Sequence, residues 1–267
     1  MPTLTAPRGR AMPRVLDHTR ARQPDATGHL DRDGVGVYWE RFGTARRTIL
    51  LMPTWQIVHS RMWKAQVPYL ARTSTVLTFD PRGNGLSDRP QDAAAYDRRL
   101  FAEDALALLD LHGVERAMVV TWCDEGQSLL LAAHHPERVS GLAMITAYPV
   151  AHPTHGGSPT YPFDAILDTE EGWAKENRHY WLRDWPGFVE FYFSQVFTER
   201  HSTKQIEDAV GWGNETDAAT MLVEAEPTYA HRENAIRSPG GLRARCWSSR
   251  EPRTCWRTRL TRPPSRR

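Results

Sequence analysis

The residues with the clearest potential for chemistry form the segment 119–126, which reads Val-Val-Thr-Trp-Cys-Asp-Glu-Gly. An apolar run followed by a glycine and then a periodic apolar stretch predicts a strand, a sharp turn and a helix, with Cys123 at the turn. A cysteine is a competent nucleophile when a base or a helix N-terminus lowers the pKa of its thiol. The adjacent acids Asp124 and Glu125 would act in the opposite sense and raise that pKa. Its position at the sharp turn makes Cys123 the candidate nucleophile. The alternative is that Cys123 is a buried cysteine that acts as a small apolar residue.

A second motif lies upstream, where the chain reads Asp80-Pro-Arg-Gly-Asn-Gly-Leu-Ser-Asp. Its two glycines permit a tight left-handed turn, and the side chains of Asp80 and Arg82 can bridge neighbouring loops. A phosphate-binding loop is excluded, because the order Gly-x-x-x-x-Gly-Lys occurs nowhere in the chain.

Strand and helix patterns alternate through the first half of the chain. A hairpin is predicted from Gly28 onward around an Asp33-Gly34 turn. Short apolar runs predict strands buried on both faces, and periodic stretches between them predict helices. The strands are predicted at 48–52, 75–79, 117–121 and 141–145, and the helices at 62–70, 96–111 and 126–134. This alternation indicates a mostly parallel sheet with right-handed crossovers.

The turn around Cys123 and the turn that begins at Asp80 together resemble the α/β-hydrolase superfamily, which usually has serine where this chain has Cys123. The resemblance implies an α/β fold, with a mostly parallel sheet and a helical cap insertion. It implies that the turn that begins at Asp80 is structural, so this motif bears on the fold and not on the chemistry. It also implies that the backbone N–H groups of Trp55 and Asp124 form an oxyanion hole. An alternative, with Asp124 as a dehalogenase-type nucleophile, is disfavoured because Asp124 lies one residue too late.

The sequence departs from the family pattern at two places near this site. Glu125 is bulky and charged where the family has glycine, and its carboxylate would oppose an oxyanion beside it. The segment Met52-Pro53-Thr54-Trp55 stands where the family typically has a His-Gly pair. An ordinary strand exit is the alternative interpretation of that segment.

Changes in composition suggest four regions. Residues 1–26 are rich in Pro and Arg without an apolar period and are predicted to be disordered. Residues 27–148 are predicted to form the hydrolase core. Residues 149–230 are rich in aromatics, with a helix running from Pro186 to Phe197, and are predicted to form a helical cap. Residues 231–267 are predicted to be an Arg-rich, disordered C-terminal remnant.

The C-terminal region carries ten arginines and a single acid, Glu251, from Arg237 onward. An amino-acid composition of this kind is typical of GC-rich DNA translated in the wrong frame, so we expect a frameshift or truncation near Ser238. In the family this region holds the last strands, the catalytic acid and the catalytic histidine. His59 lies in a loop near the expected site, and most histidines are expected to be solvated or capping. Incomplete catalytic machinery predicts weak or absent activity.

The predicted function is the hydrolysis of a small ester or lactone-type carbonyl compound through Cys123. A non-catalytic pseudo-hydrolase, or a remnant that binds a small ligand, is the alternative. The expected partner is a small apolar substrate or ligand, and a homo-oligomer is possible. A basic tail can bind nucleic acid, but this tail has no fold signal, so no nucleic acid is expected.

Length and composition set further limits. A chain of 267 residues holds one large domain with room for an insertion. It contains no apolar run near the roughly 20 residues of a membrane helix, so no membrane partner is expected. The three cysteines, Cys123, Cys246 and Cys255, fit neither a disulfide framework nor a zinc pattern. We expect a cytoplasmic protein without metal or cofactor.

Overall fold

The computed structural model describes residues 20–123, 126–145, 161, 163–199, 201 and 203–230, and of residues 225–230 the backbone alone. Six strands form one sheet in the order β1-β2-β4-β3-β5-β6. The strands are β1 Ala26–Arg32, β2 Val35–Phe42, β3 Thr48–Leu51, β4 Thr75–Phe79, β5 Ala117–Trp122 and β6 Val139–Ile145.

The sheet opens with the predicted hairpin. Strands β1 and β2 pair in antiparallel fashion around Asp33 and Gly34, which both have positive φ. The Asp31 carboxylate accepts a hydrogen bond from the Gly34 N–H at 2.8 Å and closes the turn. Strands β3, β4, β5 and β6 then pair in parallel. The predicted α/β fold with a mostly parallel sheet is therefore confirmed.

Seven α-helices fall within the described ranges, and three of them belong to the sheet layer. Helices α2 and α3 pack on one face, where Leu108 and Leu131 contact the buried strand residue Val119. Helix α1 and the preceding 3-10 turn cover the other face. The helices are α1 Val67–Leu70, α2 Arg98–Leu111, α3 Gln127–His134, α4 Arg178–Arg183, α5 Trp185–Val196, α6 Thr203–Gly213 and α7 Ala218–Ala230.

The helix predicted at 62–70 is wrong in its extent. The chain instead forms a 3-10 turn at Ser60–Trp63 and the single α-turn of α1. Pro68 lies in the first turn of α1 and has no N–H to donate to the preceding turn. The proline therefore starts a new helix and does not continue an older one.

The N-terminal boundary also needs a correction. Residues 1–19 lie outside the described residues, but residues 20–26 have defined contacts and were predicted as part of a disordered segment. The Asp25 N–H donates to the Arg41 carbonyl at 2.8 Å, and β1 begins at Ala26. Arg20 forms an ion pair with the buried carboxylate of Glu40. This ion pair and the extended ladder hold the segment against the sheet.

Within the described ranges, β6 is the last strand of the sheet on its side. Its final residue, Ile145, is 49% exposed. Residues 231–267 lie outside the described residues, so the expected frameshift or truncation, with its loss of the last strands, stays a prediction.

Helices α4 to α7 form a second group, which we call the helical layer. Trp181, Phe188 and Phe193 form its buried core, and they pack against Ile57 and Val58 from the loop after β3. Helix α5 begins where predicted: the Asp184 carboxylate caps it by accepting from the Gly187 N–H at 2.9 Å. None of the helices in the described ranges is long and apolar enough to cross a membrane.

Candidate active site

The turn after β5 has the geometry that the sequence predicts. Cys123 follows the last residue of β5 and has a φ of +51°, and Gly126 before α3 has a φ of +113°. For a residue with a side chain, left-handed backbone costs roughly 1–2 kcal/mol. In the part of the chain that the structure describes, Cys123 and Asp33 are the non-glycine residues with positive φ. Such strained residues concentrate at functional sites.

Backbone contacts hold Cys123 in this conformation. Its N–H donates to the Ile145 carbonyl at 2.9 Å, and its own carbonyl accepts a hydrogen bond from the Thr54 hydroxyl at 2.9 Å. Cys123 is partly exposed, so it is not fully buried in the core. Asp124 and Glu125 lie outside the described residues, and the predicted role of the Asp124 N–H therefore stays a prediction.

The loop after β3, residues 53–58, lies beside this turn, and we call it the oxyanion loop for its predicted role. Strands β3 and β5 are adjacent and parallel, with Leu51 opposite Val120, so their following loops leave the same edge of the sheet. The Gln127 side-chain amide donates to the Pro53 carbonyl at 3.0 Å. The structure therefore brings the loop that contains Trp55 next to Cys123, as predicted, and the oxyanion role of this loop stays a prediction.

A buried carboxylate that the sequence did not predict contacts the oxyanion loop from the helical layer. The Trp55 indole Nε1 donates to Glu224 Oε2 at 3.3 Å, and Arg98 Nη2 donates to Glu224 Oε1 at 2.7 Å. With its side-chain amide turned to satisfy both neighbours, Gln56 donates to Glu224 at 3.1 Å and accepts from Arg98 at 3.0 Å. Burial and the nearby Glu224 charge raise the pKa of the Tyr96 hydroxyl above its usual range.

A second buried ionic group surrounds His59. The imidazole is fully buried, and its Nδ1 accepts from the Arg61 N–H at 3.4 Å, so His59 caps the short 3-10 turn. Its Nε2 lies 3.3 Å from Glu215, and Arg61 donates to the same carboxylate at 2.9 Å. Asp80 lies 3.8 Å from Nδ1. Because these partners engage both ring nitrogens, His59 is a structural group and is poorly suited to act as a base for Cys123.

The turn that begins at Asp80 bridges loops as predicted. The Asp80 carboxylate accepts from the Ser60 N–H at 3.1 Å and from the Leu86 N–H at 2.9 Å. Arg82 makes two hydrogen bonds of 2.7 Å to Asp104 in α2. This turn therefore connects the 3-10 turn at Ser60 with helix α2.

The aromatic rings of the helical layer pack on one another and reach the oxyanion loop. Trp55 meets Tyr192 edge-on, with ring centroids 5.2 Å apart, and lies 6.3 Å from Trp181. A cavity of about 10 Å³ beside Arg20 and an open groove of about 540 Å³ beside Asp110 do not include these rings or Cys123. A substrate pocket lined by the aromatics stays a prediction.

The remaining chemistry-bearing residues do not extend the site. No group of three or more His, Cys, Asp or Glu residues in the described ranges could hold a metal ion. His112 follows α2, where burial and, secondarily, the charge of Arg41 lower the pKa of its imidazole. His134 ends α3 and is exposed, as expected. Cys246 and Cys255 lie outside the described residues.

Comparison with known proteins identifies the family. The family model described as alpha/beta hydrolase fold matches residues 50–225, about two thirds of the chain. This segment contains the end of β3, strands β4 to β6, the turn at Cys123 and most of the helical layer. The chain belongs to the alpha/beta hydrolase fold family.

Individual relatives agree with this family at lower coverage. The chain is similar to the 2-hydroxymuconate semialdehyde hydrolase of Pseudomonas sp. (strain CF600), with 35% identity over 117 residues, which are 43% of this chain and 39% of that enzyme. It is also similar to the pimeloyl-[acyl-carrier protein] methyl ester esterase of Edwardsiella ictaluri (strain 93-146), with 28% identity over 42% of this chain and 41% of the esterase. The matched segment thus spans less than half the length of either relative.

Solved structures support the fold. The esterase EaEST from Exiguobacterium antarcticum superposes with a TM-score of 0.59 at 17% identity, covering 75% of this chain and 71% of the esterase. The N-acyl homoserine lactone degrading enzyme Est816 superposes with a TM-score of 0.58 at 21% identity, covering 74% of this chain and 70% of Est816. At these identities, the likeness shows the fold alone.

Proposed function

We propose that this protein is a thiol-dependent hydrolase of small ester or lactone-type carbonyl compounds, with Cys123 as the nucleophile and a low turnover rate. The observation that carries the proposal is the left-handed backbone of Cys123 between β5 and α3. A strained turn of this kind places a nucleophile at the carboxyl edge of the sheet, in front of a helix N-terminus. The hydrolase and esterase names of the relatives support the same reaction class.

The proposed reaction proceeds through a thioester. The Cys123 sulfur attacks the substrate carbonyl carbon, and the backbone N–H groups of Trp55 and Asp124 stabilise the oxyanion that forms. The intermediate collapses, the C–O bond to the leaving group breaks, and the alcohol departs with a proton. Water then hydrolyses the thioester to release the acid and restore the thiol.

Low turnover follows from the groups around the nucleophile. His59 is enclosed by Arg61 and Glu215, so we do not assign it as the base. Asp124 and Glu125 place two carboxylates next to Cys123 in the sequence, which disfavours both the thiolate and the oxyanion. Loss of a member of a catalytic triad typically leaves only residual catalysis.

Hydrolysis of p-nitrophenyl esters tests the proposal. The assay uses a Cys246→Ser/Cys255→Ser background that removes the other thiols, and it compares the protein with wild-type Cys123 in this background with Cys123→Ala and Cys123→Ser. We expect slow release of p-nitrophenolate that exceeds the buffer rate and disappears in Cys123→Ala. Release at the same rate from the wild-type protein and Cys123→Ala would reject the nucleophile.

A non-catalytic protein that binds a small apolar ligand is the second candidate. The packed aromatic rings of Trp55, Trp181 and Tyr192 favour it, because such rings can line an apolar ligand site. Saturable quenching of tryptophan fluorescence by an apolar ester, without Cys123-dependent hydrolysis, would support this candidate over the first.

A further inference from the structure

We propose that Glu224 is a positioning residue for the oxyanion loop, and that it acts through its hydrogen bond with the Trp55 indole. This inference rests on the proposed function, because it assigns a role to the loop that would hold the oxyanion. Glu224 belongs to α7 in the helical layer, whereas Trp55 follows β3 in the sheet layer. The hydrogen bond at 3.3 Å therefore connects the two layers at the candidate site.

Glu224 is a fixed acceptor for the Trp55 indole. Its side chain is 3% exposed and forms an ion pair with Arg98 at 2.7 Å. Gln56 donates to the same carboxylate oxygen at 3.1 Å in its satisfied orientation. A buried carboxylate that is neutralised and hydrogen-bonded from two sides has little freedom to reorient. It can therefore fix the position of the indole that contacts it.

The Trp55 indole fixes the middle of the oxyanion loop. The beginning of the oxyanion loop is tied to Cys123 through Thr54 and to the first residue of α3, Gln127, through Pro53. Its later part is tied to the Asp80 turn, where the Asn84 side chain donates to the Gln56 carbonyl at 2.7 Å. The Trp55 peptide N–H lies between these two anchors, and the indole contact is a third anchor on the same residue. Oxyanion stabilisation depends on donors held in place before the reaction.

The hydrogen bond between Trp55 and Glu224 can be removed without leaving a charge unpaired. Arg98 neutralises Glu224 whether or not the indole is present. Trp55→Phe therefore deletes the N–H donor but retains an aromatic ring against Tyr192 and the Glu224–Arg98 ion pair. This variant is expected to fold. The second variant is Glu224→Gln, which leaves Arg98 with a neutral partner.

The test compares two reactions of the same sulfur in the Cys246→Ser/Cys255→Ser background. With p-nitrophenyl acetate, an S–C bond forms, the C–O bond to p-nitrophenolate breaks, and the reaction passes through an oxyanion. With iodoacetamide, an S–C bond forms and iodide leaves, with no oxyanion. We expect Trp55→Phe to lower the acylation rate by about tenfold. The alkylation rate should stay unchanged, and Trp55→Phe/Glu224→Gln should acylate no more slowly than Trp55→Phe.

The matched control is Glu190→Gln, which makes the same chemical change on the exposed face of α5. It should leave both rates unchanged. Acylation by Trp55→Phe at the wild-type rate would overturn the proposal. An equal fall in acylation and alkylation would also overturn it, because a general loss of structure changes both reactions.

A wild-type protein that is not acylated at Cys123 would refute the proposed function, and amide hydrogen exchange of residues 53–58 would then decide the present inference. Faster exchange in Trp55→Phe and Glu224→Gln, with no change in Glu190→Gln, would support the positioning role. Exchange that is unchanged in all three variants would overturn it.

Discussion

The Thr54 hydroxyl donates a hydrogen bond to the Cys123 carbonyl over 2.9 Å and so joins the loop after β3 to the turn after β5. The two residues are separated by 69 positions in the sequence, yet the adjacency of β3 and β5 places them at one edge of the sheet. The candidate nucleophile and the candidate oxyanion loop are thereby held as a unit, independently of any substrate.

The strain at Cys123 predicts an unusual order of stabilities. Glycine adopts a φ of +51° without a steric penalty, whereas alanine retains that penalty. We expect the free energy of unfolding of Cys123→Gly to exceed that of Cys123→Ala by about 1 kcal/mol, even after the greater unfolded-state entropy of glycine. Urea unfolding of the two variants measures the difference. A less stable Cys123→Gly would show that the turn is not strained in solution.

The Arg82–Asp104 ion pair predicts a large loss of stability on substitution. Asp104 is 1% exposed and accepts two hydrogen bonds from Arg82, so Asp104→Asn leaves a buried guanidinium without its charge partner. We expect a loss of about 3 kcal/mol in the free energy of unfolding. Asp110→Asn in the same helix is the matched control: its carboxylate pairs with Arg138 but is 60% exposed, and its loss should be under about 1 kcal/mol. Similar losses in the two variants would contradict the assigned role of burial.

His112 predicts a pH dependence of stability. Burial lowers the pKa of its imidazole below the ordinary value of 6.5, with a further contribution from Arg41. The unfolded chain therefore binds a proton at a higher pH than the folded chain does. The stability that neutral His112 contributes is complete above about pH 6.5 and declines as the pH falls below it.

The measurement is urea unfolding between pH 8 and pH 5. Wild-type stability should fall more steeply with decreasing pH than the stability of His112→Phe, which keeps a ring against Trp39. The exposed His134→Phe serves as the control and should retain the wild-type slope. Identical slopes for the wild type and His112→Phe would remove His112 as the cause.

Local patterns explain why much of the fold could be predicted. The Asp33-Gly34 hairpin and the strand-turn-helix around Cys123 depend on residues adjacent in the chain, so their turn chemistry is visible in the sequence. The helix predicted at 62–70 was wrong in its extent, because Pro68 begins a new helix. The apolar spacing alone had indicated one continuous helix. Pro186, which suits the first turn of a helix, likewise located α5.

The buried ionic contacts could not be predicted in the same way. Glu224 and Trp55 are separated by 169 positions, and Glu215 and Arg61 by 154. Acidic side chains ordinarily face solvent, and no periodicity indicates which of them turns toward a loop so distant in sequence. The ionic contacts around the candidate site are therefore visible only in the folded structure, where the helical layer lies over the sheet edge.

The account depends most directly on whether the sulfur of Cys123 becomes acylated in the folded protein. The measurement is peptide-level mass spectrometry after brief exposure to p-nitrophenyl acetate, in the Cys246→Ser/Cys255→Ser background, for the native protein and for the protein unfolded in urea. The account predicts an acetyl group on the peptide that contains Cys123, formed faster in the native protein than in the unfolded chain. No acetyl group on that peptide, or acylation at least as fast in the unfolded chain, would contradict it.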